Sequence, residues 1–310
     1  MSSRKSKQSS AFAISLPATS ANLGPAFDAA ALAFDLHLKL RASITNEYSI
    51  KARGRDPEIC GRIEKHLILD TYRDVLDGEG QAAQPLALTI DNQIPIGKGC
   101  GSSAAARLAG IALAVHFGGL KWPDSRIVGE ASRLEHHPDN ASACWMGGLT
   151  VAKMSGEHEA LVARVKPKGN WPLLLAIPNH PLSTEEARKV LPEQYSRDDA
   201  VTNIQNSMLL LAAFVQGRGD LLTSALGDRI HQPYRASLCP LLPSIEKLTG
   251  TVGIFGVALS GAGPSVLIFL DPKAQAIRAK TAVAEHLRKH KLTAELIATS
   301  ITGQGGNASH

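Results

Sequence analysis

Pro95-Ile96-Gly97-Lys98-Gly99-Cys100-Gly101-Ser102-Ser103-Ala104 is the most informative stretch of this 310-residue chain. Glycine at every second position from 97 to 101 frees the backbone to approach an anion and turn its N–H groups towards it. The run that follows, Ala104 to Val115, is dense in Ala, Leu and Ile, which predicts a buried helix closed by Gly118-Gly119. Such a helix aims the positive end of its dipole at the same point. Ser102 and Ser103 add hydroxyls able to bond phosphate oxygens or ligate Mg²⁺. The stretch therefore predicts a phosphate cradle.

Strands are expected on its N-terminal side from the apolar run Phe12 to Leu16, from Leu32 to Leu40, from Tyr48 to Arg53 and from the alternating Leu86 to Ile90. On its C-terminal side Ser125 to His136 reads as a helix and Gly147 to Lys153 as a returning strand. Trp171 to Ile177 is again a strand, and Asp199 to Gln216 places Ile204, Met208, Leu211 and Val215 at helical spacing. Val252 to Leu259 and Ser265 to Leu270 are strands around a glycine turn, and Ala274 to His290 is a helix. Strands and helices mix without strict βαβ alternation, so the fold class is α+β. Pro167 and Gly169 mark a boundary between two lobes, residues 11–168 and 169–302, with a cleft between them. Residues 1–10 and 303–310 read as disordered tails.

Composition narrows the function. A net charge of +5 owes three of its units to Arg4, Lys5 and Lys7, so the folded part is near neutral and nucleic acid is not an expected partner. Cys60, Cys100, Cys144 and Cys239 are too scattered for a disulfide framework or a structural zinc site. No segment approaches the ~18 apolar residues of a membrane span, and the first ten residues lack the apolar core of a secretory signal. The expected setting is the cytoplasm.

Three known loops compete for Pro95–Ala104. A Walker loop needs Ser or Thr directly after Gly-Lys, and Gly99 follows Lys98. Gly99, Gly101 and Ala104 fit the dinucleotide pattern G-x-G-x-x-A, but no clear βαβ start precedes them. The third pattern, P-x-x-x-G-L-G-S-S-A of the GHMP small-molecule kinases, is met everywhere except at Cys100, which stands in place of Leu. Four further blocks resemble the homoserine kinases of that superfamily. They are Pro17-Ala18-Thr19-Ser20-Ala21-Asn22-Leu23-Gly24-Pro25-Ala26-Phe27-Asp28; His137-Pro138-Asp139-Asn140 with Gly147-Gly148; Ser183-Thr184-Glu185-Glu186-Ala187-Arg188; and His231-Gln232-Pro233-Tyr234-Arg235 followed by Leu259 to Ser265. All five stand in the family's order.

The resemblance implies a two-lobed kinase fold and transfer of the γ-phosphate of ATP to the side-chain hydroxyl of L-homoserine. It implies ATP binding by Pro95, Gly97, Lys98, Gly99, Cys100, Gly101, Ser102 and Ser103. Homoserine is a zwitterion, so its site needs a cation for the carboxylate and an anion for the ammonium group. Arginines suit bidentate carboxylate recognition, and the resemblance gives that role to Arg188 and Arg235. It matches Asp28 to the ammonium group and Asn22 to the reacting hydroxyl. Thr184 and Arg188, four apart, share a helix face. His137, Asp139, Asn140 and Gly261 complete the pocket by resemblance, with Asn22, Asp28 and Arg188 as the catalytic set. A Mg²⁺ ligand besides Ser103 is expected shortly before His137. Glu130 and Glu135 both qualify, and Glu130 is preferred because it leaves at least a helical turn between metal and amino acid.

Taken singly, each residue has a plainer reading: Asp28 or Asp139 as a turn cap, His137 as a packing residue, Arg188 and Arg235 as solvated charges that contribute little to folding. Ala26 and Ala31 stand where the family commonly has glycine. If position 26 requires φ > 0, alanine costs about 1 kcal/mol or more there. The expected assembly is a homodimer.

Overall fold

The structure is a computed structural model and describes residues 11–309. The expected N-terminal tail and the last residue lie outside that range. Among the described residues ten strands form two sheets. The first six are β1 (Ala11–Ala21), β2 (Ala30–Ile44), β3 (Ser49–Gly54), β4 (Leu86–Asn92), β5 (Leu149–Met154) and β6 (Ala160–Val165). They are ordered β3-β4-β2-β5-β6, with β1 also paired to β2. The fifteen-residue β2 is the spine: Leu38 to Ile44 pair with β4, Ala30 to Leu32 with β5, and nearly its whole length with β1. The second sheet, β7 (Pro172–Ile177), β8 (Ile254–Leu259), β9 (Val266–Leu270) and β10 (Glu295–Ser300), is antiparallel in the order β10-β7-β9-β8. It begins after the Lys166–Asn170 segment.

The helices, in chain order, are α1 (Pro57–Cys60), α2 (Leu67–Gly78), α3 (Ser102–Gly118), α4 (Asp124–Glu135), α5 (Asp139–Met146), α6 (Thr184–Lys189), α7 (Arg197–Gln216), α8 (Leu222–Ala225), α9 (Gln232–Arg235), α10 (Leu241–Ile245) and α11 (Ala276–Lys289). Small side chains let α3 sink into the first lobe, where Ala104, Ala105, Leu108, Ala109, Ile111 and Ala112 are all fully buried. From Leu108 to Ala114 the helix is buried at every position, as a core helix is. It packs against α2, α4, α5 and β1, which fixes the direction of its N-terminus.

Alternation along β7 joins the lobes. Leu173 and Leu175 face the large core shared with the first sheet and with Phe214 of α7, while Leu174 and Ala176 face a second core built with α11. The α11 stripe Ala279, Val283, Leu287 closes that second core. Each fully buried Val or Leu side chain there is worth about 1.5–3 kcal/mol.

Two expectations need correction. Residues 303–309 of the expected C-terminal tail are not disordered. Thr302 donates to Ala33 O at 3.0 Å and accepts from Gly148 N at 2.8 Å. Gly305 and Gly306 are buried against Trp145, and Asn307 reaches Met146 Sδ. A segment with paired backbone and buried glycines has little freedom left. The expected strain at position 26 does not arise either: Ala26 is not among the positive-φ residues, whereas Asn22, Leu23, Gly24 and Asp28 around it are. No helix among the described residues is long and apolar enough to cross a membrane.

Candidate active site

The glycine loop joins the end of β4 to α3. Gly97, Gly99 and Gly101 have φ of 68°, 74° and 71°, in the left-handed region. Two of them are also pressed against other segments. A Cβ on Gly99 would lie 2.2 Å from Ser260 O, and one on Gly101 would lie 1.9 Å from Thr19 Oγ1. Gly101 is the N-cap of α3, and no side chain caps the helix there. Its first N–H groups therefore have no intrahelical partner and are left for an anion.

Hydrogen bonds tie this loop to both lobes. Thr19 N donates to Cys100 O at 3.1 Å and Ser260 Oγ to Gly99 O at 2.8 Å. The Asn22 amide bridges the same region, donating to Gly261 O at 2.9 Å and accepting from Asp28 N at 2.9 Å. Thr19 Oγ1 donates to Asn140 Oδ1 at 2.7 Å.

The cleft beside the loop has a volume of about 110 Å³. Asn22, Asp28, His137, Asp139, Asn140, Thr184, Arg188, Arg235 and Gly261 all line it, together with Gly97, Gly99, Gly101, Ser102 and Ser103. Residues 28, 188 and 235 come from a loop, α6 and α9. Arg188 Nη2 meets both carboxylate oxygens of Asp28, at 2.7 and 2.9 Å. Ser183, whose hydroxyl accepts from Glu186 N at 3.1 Å, caps the helix that carries Arg188.

Arg235 is not the solvated charge of its plainer reading. It is 1% exposed. Its Nε donates to Ala187 O at 3.0 Å and its Nη1 lies 3.1 Å from His231 Nδ1. Burial, then the neighbouring Arg188, pushes its pKa down to about 10. His231 is fully buried; burial pushes its pKa down to about 4, so it is neutral. Its Nε2 donates to Gly24 O at 2.7 Å, leaving Nδ1 to accept from Arg235. Phe27 stacks on the His231 ring at 5.1 Å, and both guanidinium carbons lie 5.3 Å from the Phe27 centroid.

His137 Nδ1 and Asp139 Oδ1 are 2.6 Å apart, both residues buried. Burial opposes a charge on His137, but the Asp139 carboxylate outweighs it, with Asp28 and Glu135 adding to the effect, and its pKa is raised.

Four expectations for the loop and the metal change. Glu130 is not in the cleft: Arg133 holds it at 2.7 Å and His158 at 2.7 Å on the far side of α4. Burial would raise its pKa, but those two partners lower it. Glu135, which lines the cleft, accepts from Ser103 Oγ and from Arg107 Nε, each at 2.6 Å. Lys98 turns away, its ammonium held by the carbonyls of Pro178 and Asn179. Cys100 faces the interior, 1% exposed, with its thiol pKa raised to about 12 by burial. It acts there as a small apolar side chain, as the Leu it replaces would. Pro95 lines neither this cleft nor its neighbour.

That neighbour is a cavity of about 370 Å³ on the other side of Ser102 and Ser103, walled mainly by apolar side chains that include Ile59, Ile68, Ile90, Ile94 and Ile96. Sequence reasoning missed it, because its walls come from five separate segments with no motif among them. Phe27 and His231 stood inside the quoted motifs without an assigned role.

Profiles of the GHMP kinases N terminal domain and the GHMP kinases C terminal match residues 66–148 and 210–289. The chain thus carries both domains of a GHMP kinase. The homoserine kinase of Solibacter usitatus is 41% identical over 86% of this chain and 87% of its own, and that of Synechocystis sp. 42% over 84% and 86%. By this similarity the chain belongs to the homoserine kinase family. The structure of the homoserine kinase from Cytophaga hutchinsonii superposes with a TM-score of 0.80 at 22% identity, covering 97% of this chain and 98% of that one. Leishmania major mevalonate kinase in complex with R-mevalonate shares the fold, with a TM-score of 0.68 at 14% identity and 96% of each chain covered.

Proposed function

We propose that this enzyme transfers the γ-phosphate of ATP to the side-chain hydroxyl of L-homoserine, giving O-phospho-L-homoserine for threonine biosynthesis. The observation that carries the reading is the meeting of Asp28 with Arg188 and Arg235 in one small cleft beside the uncapped N-terminus of α3. A mevalonate-like alcohol carries no ammonium group for Asp28 to meet.

In this reading the nucleotide base occupies the apolar cavity, and the phosphates cross the glycine loop towards the cleft. The loop amides and the α3 dipole hold the anion. Mg²⁺ fits the donors present: the Ser103 hydroxyl and the Glu135 carboxylate offer two hard oxygens side by side. When bound, the ion would supply charge neutralisation for the transferring group. Arg107, bonded to Glu135 at 2.6 Å, would hold that carboxylate in place. Asp28, the rival candidate for a general base, would be occupied by the ammonium group of the substrate. The hydroxyl proton would pass to the γ-phosphate, and catalysis would rest on positioning and charge. Asn22, fixed at both ends of its amide, would orient the hydroxyl.

The reading includes a homodimer in the cytoplasm. The exposed stripe Val201, Ile204, Met208, Val215 along α7 supports the former, and a light-scattering mass tests it. Four free, buried cysteines support the latter. The function itself is tested by ATP turnover over homoserine, threonine, serine and mevalonate with Mg²⁺. Turnover with mevalonate equal to that with homoserine would overturn it.

A further inference from the structure

The two arginines of the cleft are held in different ways. Arg235 is fixed: it is buried, and its Nε and Nη1 are spent on Ala187 O and His231 Nδ1. Both partners are neutral, so no carboxylate is bonded to this buried cation. Arg188 is spent on an acid. Its Nη2 reaches both oxygens of Asp28, and the two side chains are only 35% and 31% exposed. The carboxylate and the cation expected to receive the substrate's two charges are therefore satisfied by each other.

An ion pair partly withdrawn from water is costly to break when one partner is left alone, and far less costly when both partners are replaced together. Resting on the zwitterionic substrate read above, we propose that the Asp28–Arg188 pair is a specificity device which the substrate opens by exchange. The ammonium group takes the place of Arg188 at Asp28, while the carboxylate takes Arg188 and joins it to Arg235. A ligand with only one of the two charges frees one half of the pair and gives it nothing. Arg235, with no carboxylate bonded to it, is the first anchor for the carboxylate. Arg188 is the arm that moves.

The surroundings fit such an exchange. Phe27 lies under both guanidinium groups, giving Arg188 an apolar surface on which to swing towards Arg235. Arg235 is tied to the carbonyl of Ala187, the residue before Arg188, so the fixed and the moving cation share one stretch of α6. Asp28 also sits with its carboxylate within 4.8 Å of His137 and Asp139 ligand atoms. His137 is bonded to Asp139, which leaves Arg188 as the cation that an incoming ammonium must displace.

Exchange makes a prediction that simple addition of contacts does not. If Asp28 only bound ammonium, Asp28→Asn would help 4-hydroxybutanoate, which is homoserine without its amine, only by easing like-charge repulsion, and by the same factor whether or not Arg188 is present. If Asp28 also holds Arg188 back, the same change frees the arginine, and the amine-free anion should bind about tenfold or more tighter than it does to the wild type. The reciprocal variant, Arg188→Met, should bind 3-aminopropan-1-ol, which lacks the carboxylate, tighter than the wild type does. Asn tolerates the left-handed backbone of position 28, φ 53°, so the loop is kept.

The experiment is calorimetric titration of wild type, Asp28→Asn, Arg188→Met and the double variant with homoserine, 4-hydroxybutanoate and 3-aminopropan-1-ol, at one pH and with a non-hydrolysable ATP analogue present. A gain for the complementary single-charge ligand that is larger with the partner residue present than in Asp28→Asn/Arg188→Met supports exchange, and an equal gain in both backgrounds, the mark of relieved repulsion, overturns it. Unchanged or weaker binding of those ligands overturns it. Failure of the wild type to bind homoserine would overturn the substrate assignment separately, since the single-charge comparison does not depend on it.

Discussion

At the scale of single residues, the cleft turns on which side of a helix a carboxylate falls. Glu130 and Glu135 are both on α4, five residues apart, which places them about 140° apart around the axis. One is held by Arg133 and His158, the other by Ser103. Spacing to His137 could not decide between them, because the deciding fact is which face α4 turns to the loop. Glu135→Gln should lower kcat about 100-fold and raise the Mg²⁺ concentration needed for half-maximal rate, with Glu130→Gln close to normal in both. A Mg²⁺ titration of the steady-state rate reads the difference, and the reverse order would reinstate Glu130. The convergence of Asp28, Arg188 and Arg235 was legible only through motifs. Residues 28, 188 and 235 are too far apart for any local periodicity to relate them. The burial of Arg235 was not legible at all, since its sequence neighbours are those of a surface turn.

Elements differ in how openly they announce themselves. The glycine loop and α3 were readable because both depend on local chemistry: positive φ at alternate glycines, then a run of small apolar side chains. The strands β6 and β10 were not, because they are largely exposed and mix polar with apolar residues. Their pairing is set by β5 and β7 rather than by themselves. A local rule also predicts a gain. α4 ends at His136, an exposed residue with φ 68° in the position where helices usually place glycine. His136→Gly should relieve about 1 kcal/mol of left-handed strain and raise Tm by about 1–3 °C. Differential scanning calorimetry tests this, and a lower Tm would mean that the imidazole makes a compensating contact.

For the whole molecule, buried histidines set how stability depends on pH, and they act in opposite directions. His231 has its folded pKa depressed, from 6.5 to about 4. It contributes stability in full above the unfolded value, and that contribution fades as pH falls from about 6.5 towards 4, by about 3 kcal/mol. His137 has its pKa raised, so its contribution is complete below about 6.5 and fades as pH rises through the folded value. Urea unfolding between pH 7 and 4 should show the acid loss in the wild type and a flatter profile in His231→Phe. Equal slopes would place the acid sensitivity elsewhere. The segment around Thr302 has a different consequence, one of timing. It pairs with Ala33 and Gly148 and covers Trp145, all in the lobe made first, yet it is made after the second lobe. A ribosome has to deliver both lobes before the first can be sealed. The half-built chain would leave that gap open to chaperones or proteases.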